Sequence, residues 1–438
     1  MILIYNILLH AGVILGLPFI VPVILFTRKW RNPFLNRLGL SSLPGVISGS
    51  MDDSISLKPI WIHALSVGEV ISAVPLVSKL FESKNNPIVF SATTQTGYDI
   101  SKNLLSAYVN RIFYFPYDLL FSVRRVGNRI DPALVIIVET DIWPNFLFEM
   151  KRRSVPVLLV NARLSDQSFA GYGMFSFVMK RVFGLFSSIC AQTRTDADRF
   201  RLLGISPDKV TVTGNIKFDQ SLEPVTDIDL TQLKQQLHIE EGRKVIVSGS
   251  THDGEESILL DAFTRLKKRY PELLMIIVPR DPERADSICA EFDAAGLIAV
   301  LMKDLPDPGS RKEMDIVVVD VIGLLKKLYA LADFAFVGGS LVNAGGHNPL
   351  EPAAFGKPVL FGPDMSDFRQ ISKMLLEAGG GLRVHDAESF YQAAVTFLEE
   401  KGKALETGMK AHALLTANRG AIEKTMNGIN AVIKKTGS

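Results

Sequence analysis

The stretch GGSLVNAGGHNPLEPAAFGKP, residues 338–358, decides the fold of this chain. It follows an apolar run at residues 332–337, which predicts a buried strand, and its two Gly-Gly pairs predict turns of the backbone. Asn348 suits the N-cap of a helix, and Pro349 suits its first turn. The pattern therefore predicts a strand, a glycine loop and a helix N-terminus whose amides are free to face an anion.

Glu351 lies in the predicted first turn of this helix, where a carboxylate can accept hydrogen bonds from sugar hydroxyls. The loop therefore suits a nucleotide, with backbone amides for the phosphate and Glu351 for the ribose. The alternative is an ordinary strand-to-helix connection with a capping Asn and a Glu that the helix dipole favours. The two glycine pairs, the His-Asn sequence and Glu351 together favour the nucleotide site. Gly356 and Pro358 predict the helix end, before a strand at residues 359–361.

The composition indicates a two-domain protein without a nucleic-acid signature. A chain of 438 residues exceeds one typical domain, and its net charge is only +2. Cys190 and Cys289 lie far apart and show no metal-ligand spacing. Neither a G-x-G-x-x-G fingerprint nor a P-loop lysine signature occurs, which argues against dinucleotide oxidoreductases and NTPases.

The N-terminal residues 2–27 contain no charged side chain and predict a helix long enough to cross a bilayer. A basic cluster that begins at Arg28 follows at once, so the positive-inside rule predicts that the rest of the protein lies in the cytoplasm. Pro18 and Pro22 leave an alternative, in which the helix lies flat in the membrane interface as a monotopic anchor.

From residue 59 onward, short apolar runs alternate with segments of helical spacing, which predicts βαβ units and parallel sheets. The first series of predicted strands is 59–63, 88–91, 111–115, 134–138, 157–160, 188–191 and 210–213. The second series is 245–248, 274–278, 298–301, 316–319, 334–337 and 359–361. We predict an anchor at 1–30, a first domain at 31–220, a linker at 221–235 and a second domain at 236–438. The ligand site is expected in a cleft between the domains, beyond the carboxyl ends of the strands.

Two glutamates follow predicted strands of the first domain. Glu69 begins a helix after the turn that follows His63, where an ionised carboxylate could act as a general base toward a hydroxyl group. A first-turn Glu can equally serve helix stability alone. Glu139 stands where a buried strand ends, and a carboxylate there is costly unless it is used or paired.

Two cationic residues also lie at the expected ligand edge. Lys217 comes just before the predicted linker and could neutralise a leaving phosphate, although most lysines are simply exposed. Arg280 ends a strand after Pro279 and can hold phosphate through bidentate hydrogen bonds. The alternative for Arg280 is an ion pair with Asp281 or Glu283.

These residues belong to segments that together resemble the 3-deoxy-D-manno-octulosonic acid (Kdo) transferases of Gram-negative lipid A assembly. The segments occur in family order along nearly the whole chain, and their combination is far more specific than any one of them. They are HALSVGEV (63–70), SATTQTGYD (91–99), VETDIWPN (138–145), NARLSD (161–166), GNIKFD (214–219), SGSTHDGEE (248–256), VPR (278–280) and GGSLVNAGGHNPLEPAAFGKPV (338–359).

The resemblance implies an α/β GT-B glycosyltransferase, with two Rossmann-like domains facing a central cleft and an N-terminal membrane-anchor helix. The first domain would bind the acceptor and the second the donor CMP-Kdo. The implied reaction transfers Kdo to the lipid A precursor, lipid IVA, in lipopolysaccharide biosynthesis. It would need neither cofactor nor metal, and it would take place at the bacterial inner membrane, among its lipids and on the cytoplasmic side.

The resemblance also implies roles for individual residues. Glu69 matches the catalytic base, and Glu139 and Lys217 match positions that stabilise the transition state. The implied CMP contacts are Pro279, Arg280, Ile322, Gly323, Leu324, Asn348, Pro349, Leu350 and Glu351. One departure from the family is Asp281, where His often follows the Pro-Arg pair. A phosphate contact from that side chain is therefore not expected.

Two other functions remain open from the sequence. A GT-B glycosyltransferase that uses a UDP-sugar would fit the glycine loop and Glu351 equally well, and binding of CMP against UDP would separate the two. A membrane-anchored module that binds an anionic glycolipid without turnover is the second. Such a module needs neither Glu69 nor a nucleotide-binding half.

Overall fold

The computed structural model describes residues 2–26, 28–40, 57–83, 86–219, 225–305 and 314–436. The chain divides into two compact units. Unit 1 comprises residues 1–220 and 418–438, and unit 2 comprises residues 221–417. Residues 221–224 of the predicted linker lie outside the described part, and most of the remainder of that linker is a helix.

Unit 1 is built around a seven-stranded parallel sheet with the strand order β3-β2-β1-β4-β5-β6-β7. Its strands are β1 Ile60–Ala64, β2 Ile88–Ala92, β3 Arg111–Tyr114, β4 Leu134–Val138, β5 Val157–Ala162, β6 Ser188–Ala191 and β7 Val210–Val212. Its helices up to the domain boundary are α1 Ile2–Phe26, α2 Arg28–Arg37, α3 Val67–Glu82, α4 Gln95–Leu105, α5 Leu120–Ile130, α6 Pro144–Arg152, α7 Asp166–Met174, α8 Ser176–Phe183 and α9 Arg194–Leu202.

Apolar side chains cover both faces of this sheet. Alternate strand residues enter different clusters: Trp61 packs into one, while Ile60 and Ile62 pack into the other. This division follows from the two-residue period of a strand. Because both faces are buried, the central strands read as continuous apolar runs, which is typical of parallel sheets.

Unit 2 repeats the design with a second seven-stranded parallel sheet, in the order β10-β11-β9-β8-β12-β13-β14. Its strands are β8 Val245–Thr251, β9 Leu274–Pro279, β10 Ala299–Leu301, β11 Ile316–Val318, β12 Phe334–Val337, β13 Val359–Phe361 and β14 Gly381–Arg383. Its helices are α10 Asp227–Gln236, α11 Glu255–Arg269, α12 Ala285–Ala294, α13 Leu325–Leu331, α14 Leu350–Ala353, α15 Arg369–Ala378, α16 Ala387–Glu399 and α17 Lys401–Ala417.

All thirteen predicted strands are present among the described residues, within a few residues of the expected bounds. Strand β14 was not predicted from the sequence; it pairs with β13 at the edge of the second sheet. Its sequence, Gly381–Arg383, follows two further glycines and has a single apolar side chain. A run this short carries no periodic signal.

The C-terminal helix α18, Ala421–Thr436, packs in unit 1, whereas the predicted second domain included every residue from 236 to 438. Ala421 and Ile429 are buried in the core of unit 1. The carboxylate of Asp219 accepts hydrogen bonds from the amides of Gly420, at 2.7 Å, and Ile422, at 2.6 Å. Asp219 therefore satisfies two of the free amides at the start of α18.

The N-terminal residues are helical, as predicted, and the start of this helix forms hydrogen bonds with later residues of unit 1. The Tyr5 hydroxyl donates to Asp118 at 2.8 Å, and the side-chain amides of Asn6 and Asn145 bond to each other at 2.8 and 2.7 Å. Within the described residues, no helix combines the length and hydrophobicity that crossing a bilayer requires. The membrane-spanning anchor predicted for residues 1–30 is therefore not supported.

We expect Asp219→Asn to destabilise unit 1 by about 1–2 kcal/mol, because one of the two oxygens that accept from the start of α18 becomes an NH2 group, which cannot accept. Chemical denaturation monitored by circular dichroism measures the change. The control is Asp261→Asn on the exposed side of α11, which we expect to have little effect. A loss no larger than that of the control would show that Asp219 does not fix α18.

Candidate functional site

Glu69 lies in the first turn of α3, directly after the turn that follows β1. Ser66 caps the helix and accepts from the amide of Glu69, while the Glu69 carboxylate accepts from the amide of Leu65 at 2.6 Å and from the hydroxyl of Ser66 at 3.2 Å. These bonds turn the carboxylate back across the helix start. They hold the side chain in one orientation.

Burial raises the pKa of Glu69 to about 7, and the negative charges of Glu139 and Asp141 add to this effect. The hydrogen bonds from Leu65 and Ser66 oppose it. The position of Glu69 at a helix N-terminus, which is all that the sequence indicates, favours the anion. In the folded protein, burial and the neighbouring negative charges outweigh that contribution. They raise the pKa of Glu69 to a value near the pH at which a general base is most effective.

Glu139 follows β4 directly and has a left-handed backbone, with φ of 61°. Such a conformation is strained for a residue with a Cβ atom and often accompanies functional sites. The Glu139 carboxylate lies 4.0 Å from the ammonium of Lys217, which stands in a 3-10 turn, Ile216–Asp219. The structure thus brings together the two residues predicted to stabilise the transition state, both within unit 1.

Asn161, near the end of β5, is a site residue that the sequence analysis did not single out. It is fully buried and also has a left-handed backbone, with φ of 55°. Its side chain donates to Glu139 at 3.4 Å and accepts from the amide of Ile216 at 3.1 Å. Asn161 therefore ties the Glu139 turn to the turn that carries Lys217. Its sequence signals are an Asn directly after an apolar run and its place at the start of the segment NARLSD, residues 161–166.

A buried histidine supports Asp141, the third carboxylate of this region. His63 has no exposed surface, stacks on Phe115 with ring centroids 3.8 Å apart, and its Nε2 lies 3.1 Å from Asp141. The indole of Trp143 donates to the same carboxylate at 2.7 Å. These contacts fix Asp141, whose charge contributes to the raised pKa of Glu69.

In unit 2, the first glycine pair of the loop, Gly338 and Gly339, has no free amide. The carboxylate of Glu255, in the first turn of α11, is fully buried and accepts from the amides of Gly339, Ser340 and Leu341 at 2.7, 3.0 and 2.9 Å. It also accepts from the amide of His252 at 2.9 Å. The amide of Gly338 donates to the carbonyl of Gly249 at 2.8 Å. The amides of this part of the loop are therefore bonded within the protein and not free to face an anion, unlike the free amides that the sequence predicted.

The amides of the second glycine pair are also bonded within the loop. Gly345 donates to the carboxylate of Asp364 at 2.8 Å, and Gly346 donates to the carbonyl of Gly339 at 2.8 Å. Both glycines have left-handed backbones, so the loop needs them for its turn. A ligand anion at this loop would have to be bound mainly by side chains.

Arg280 follows Pro279 at the end of β9, and its side chain is exposed. Its amide donates to the carbonyl of Thr251 at 2.9 Å. Among the described residues, no carboxylate forms an ion pair with Arg280; the carboxylate of Asp281 instead accepts from the amide of Glu283. The guanidinium is thus available to an anionic ligand, and the alternative of a local ion pair is wrong.

The segment from Asn348 to Glu351 forms the start of α14, which begins at Leu350, one residue later than predicted. The Asn348 side chain accepts from the amide of Leu350 at 3.1 Å, so it still serves this helix start. Burial raises the pKa of Glu351, while the charges of Lys326 and Arg280 lower it. Arg280 therefore acts electrostatically on the carboxylate predicted to bind ribose.

The predicted contact segment Ile322 to Leu324 lies in the turn before α13. Ile322 is 90% exposed, and Gly323 has a left-handed backbone with φ of 100°. A large apolar side chain this exposed is available to a ligand surface.

Among the described residues, no group of three His, Cys, Asp or Glu side chains is arranged to hold a metal ion.

Comparison with known proteins agrees with the segments found in the sequence. The family profile described as 3-Deoxy-D-manno-octulosonic-acid transferase (kdotransferase) matches residues 34–220. The 3-deoxy-D-manno-octulosonic acid transferase of Haemophilus influenzae is 35% identical over 376 residues, which cover 84% of this chain and 86% of that protein. The transferase of the same name from Bordetella pertussis is 32% identical over 385 residues, covering 85% of this chain and 86% of that protein.

A bifunctional glycosyltransferase/methyltransferase from Fusobacterium nucleatum is 34% identical over 91% of this chain, and the chain spans 59% of that protein's length. Among solved structures, the Staphylococcus aureus MnaA-UDP co-structure has a TM-score of 0.55 at 17% identity, covering 86% of this chain and 97% of that one. A glycosyltransferase from Rickettsia africae has a TM-score of 0.53 at 13% identity, covering 87% and 99%. These structures show that the fold is GT-B-like. With about a third of its residues shared over most of its length, the chain belongs to the 3-deoxy-D-manno-octulosonic acid transferase family of glycosyltransferases.

Proposed function

We propose that the protein transfers Kdo from CMP-Kdo to the lipid A precursor, lipid IVA, with Glu69 as the general base and without a metal ion. The observation that carries the proposal is the group formed by Glu69, Glu139 and Lys217 in a member of this family. A base with a pKa of about 7 and a nearby carboxylate–ammonium pair are the groups that glycosyl transfer to a hydroxyl requires.

In the proposed mechanism, a hydroxyl of the acceptor sugar attacks the anomeric carbon of Kdo. The new C–O bond forms as the bond from that carbon to the CMP phosphate breaks, and Glu69 takes the hydroxyl proton. The transition state resembles an oxocarbenium ion, so Glu139 is suited to stabilise its positive charge. Lys217 and Arg280 would offset the negative charge that develops on the phosphate.

Unit 2 would bind the CMP part of the donor. Arg280 has no carboxylate partner among the described residues, and Glu351 and Asn348 lie at the start of α14. We assign the phosphate to Arg280 and the ribose hydroxyls to Glu351. Pro279, Leu350, Pro349 and the turn at Ile322, Gly323 and Leu324 would supply the remaining contacts.

A lipid acceptor requires that the protein work at a membrane surface, and we propose the cytoplasmic face of the inner membrane. Unit 1 exposes apolar side chains at the junction of α7 and α8, where Met174 is 81%, Phe175 64% and Phe177 67% exposed. The start of α1 exposes Leu3 and Leu8 as well. Exposed apolar groups of this kind favour association with lipid.

The experiment that tests the proposal is a transfer assay with CMP-Kdo and a tetraacylated lipid A precursor, analysed by mass spectrometry of the lipid. We expect the acceptor to gain the mass of one or more Kdo residues, with and without a chelator. A parallel reaction with UDP-sugars tests the alternative, since the similar MnaA structure holds UDP. Transfer only from a UDP-sugar, or a loss of transfer in the chelator, would contradict the proposal.

We expect the transfer rate to fall as the pH drops below about 7, because the base must be deprotonated and Glu69 has a pKa of about 7. In Glu139→Gln this acidic limb should move to lower pH, since the charge of Glu139 is one cause of the raised pKa. Rates are measured with saturating CMP-Kdo between about pH 5 and 9. The pH at which the rate falls to half its maximum gives the position of the acidic limb, independently of the maximal rate itself.

Glu69→Gln removes the proposed base, and Glu82→Gln on the same helix is its matched control. Glu69→Gln should lower the transfer rate by roughly 10²–10⁴-fold and remove the fall in rate at acidic pH. Glu82→Gln, at an exposed position, should change neither the rate nor its pH dependence. If the limb stays in place in Glu139→Gln, or if Glu69→Gln turns over normally, Glu69 is not the base.

We expect Arg280→Ala to weaken CMP binding by roughly 10- to 100-fold, as for the loss of a charge-assisted hydrogen-bonded contact. Calorimetric titration with CMP measures the change, and the exposed Arg383→Ala on β14 is the control. Binding of cytidine, which lacks the phosphate, should be nearly the same in Arg280→Ala and the wild type. An equal loss for cytidine would show that Arg280 does not act on the phosphate.

A further inference from the structure

Two histidines from distant parts of the chain meet beside the glycine loop of unit 2. His252 follows β8, and His347 precedes α14. Their Nε2 atoms lie 2.8 Å apart, and the rings are nearly parallel, at 17°, with centroids 5.1 Å apart. Both side chains are partly buried, and neither Nδ1 atom has a hydrogen-bond partner among the described residues. The pair thus leaves two ring nitrogens free for a ligand.

The short distance places one proton between the two Nε2 atoms. Two N–H groups cannot face each other at 2.8 Å, so one Nε2 donates and the other accepts. When the pair is neutral, the donating ring has a bare Nδ1 and the accepting ring carries an Nδ1–H. One further proton makes both Nδ1 atoms donors. Protonation therefore turns the pair from a mixed donor and acceptor into two donors, which suit an anion.

The backbone around the pair holds it in place. A Cβ atom on Gly339 would lie 3.1 Å from His347 and 3.3 Å from His252, so both rings pack against the first glycine pair. The amide of His252 donates to Glu255, the same carboxylate that occupies the loop amides. The amide of His347 donates to the carbonyl of Gly338 at 3.1 Å.

Arg280 is the charged side chain that acts on this pair without a carboxylate partner among the described residues. Burial, the charge of Arg280 and the neighbouring His252 together lower the pKa of His347 to about 4. His347 is therefore neutral at pH 7 in the unliganded protein. The other charged groups on the surrounding elements already have partners: Glu255 holds backbone amides, Arg284 pairs with Asp253 and Glu256, Asp364 accepts from Gly345, and Glu351 bonds to Asn348.

We propose that the His252–His347 pair forms part of the phosphate-binding site of unit 2 and takes up one proton when a nucleotide monophosphate binds to Arg280. This inference rests on the proposed function, because it takes CMP as the ligand. It follows from the loop itself: Glu255 and Asp364 occupy amides that would otherwise bind the phosphate, so side chains must supply the compensating charge.

The charge balance gives the direction of the effect. A phosphate dianion bound to Arg280 cancels the positive charge that opposes protonation of His347 and adds negative charge beside the pair. The pair then binds a proton from solvent, and the dianion faces Arg280 and a histidinium. The complex with CMP gains one proton relative to its separate components, apart from any change on the nucleotide itself.

Calorimetric titration of the full-length protein with CMP, in buffers of different ionisation enthalpy, measures the protons taken up. Cytidine serves as the ligand without phosphate. At pH 7 we expect the wild type to take up protons with CMP and few with cytidine. We expect His252→Gln and His347→Gln to lose most of this uptake and to bind CMP roughly 3- to 10-fold more weakly. The exposed His385→Gln is the control and should behave as the wild type.

Protonation of the nucleotide is common to all variants and cancels in their difference. The wild-type comparison of CMP with cytidine needs no substitution, so it remains decisive if a variant fails to fold. Equal proton uptake for CMP and cytidine, or unchanged uptake in both histidine variants, overturns the inference and leaves the proposed function standing. A protein that binds no CMP at all contradicts the proposed function, and this inference with it.

Discussion

A parallel sheet with both faces buried confines polar side chains to the ends of its strands, and this constraint arranges both units. Residues such as Ile136 and Ile276 lie within the cores, where a charged group would be costly. The chain therefore places its functional groups directly after the strands. Glu139 and Arg280 each occupy that position, one in each unit. Each unit combines acids and cations near these strand ends, with Glu139 beside Lys217 in one and Glu351 under the charge of Arg280 in the other.

Buried carboxylates organise the turns at these strand ends. Glu255 binds four backbone amides and so shapes the loop after β12, while Asp219 holds the start of α18. In unit 1, Asn161 links the turn of Glu139 to that of Lys217. These residues contact the backbone, and they determine where the reactive side chains stand.

In both units the surroundings of a titratable group favour its neutral form. Neighbouring carboxylates and burial make Glu69 a stronger base, whereas burial and Arg280 keep His347 neutral. In both groups burial is the main cause of the pKa shift, and neighbouring side chains of like charge add to it. Binding of a donor phosphate would change the balance in unit 2, and departure of a proton from the acceptor would change it in unit 1.

The sequence by itself determined the thirteen predicted strands, their parallel arrangement and the family, because apolar runs and motif order are local properties of the chain. It also named Glu69, Glu139, Lys217, Arg280 and Glu351 as candidates. Only the tertiary structure decided that Glu255 takes the loop amides, that α18 packs in unit 1 and that His252 meets His347. Each of these contacts joins segments far apart in the chain, and no periodicity or local motif records which distant partner fills a hydrogen bond.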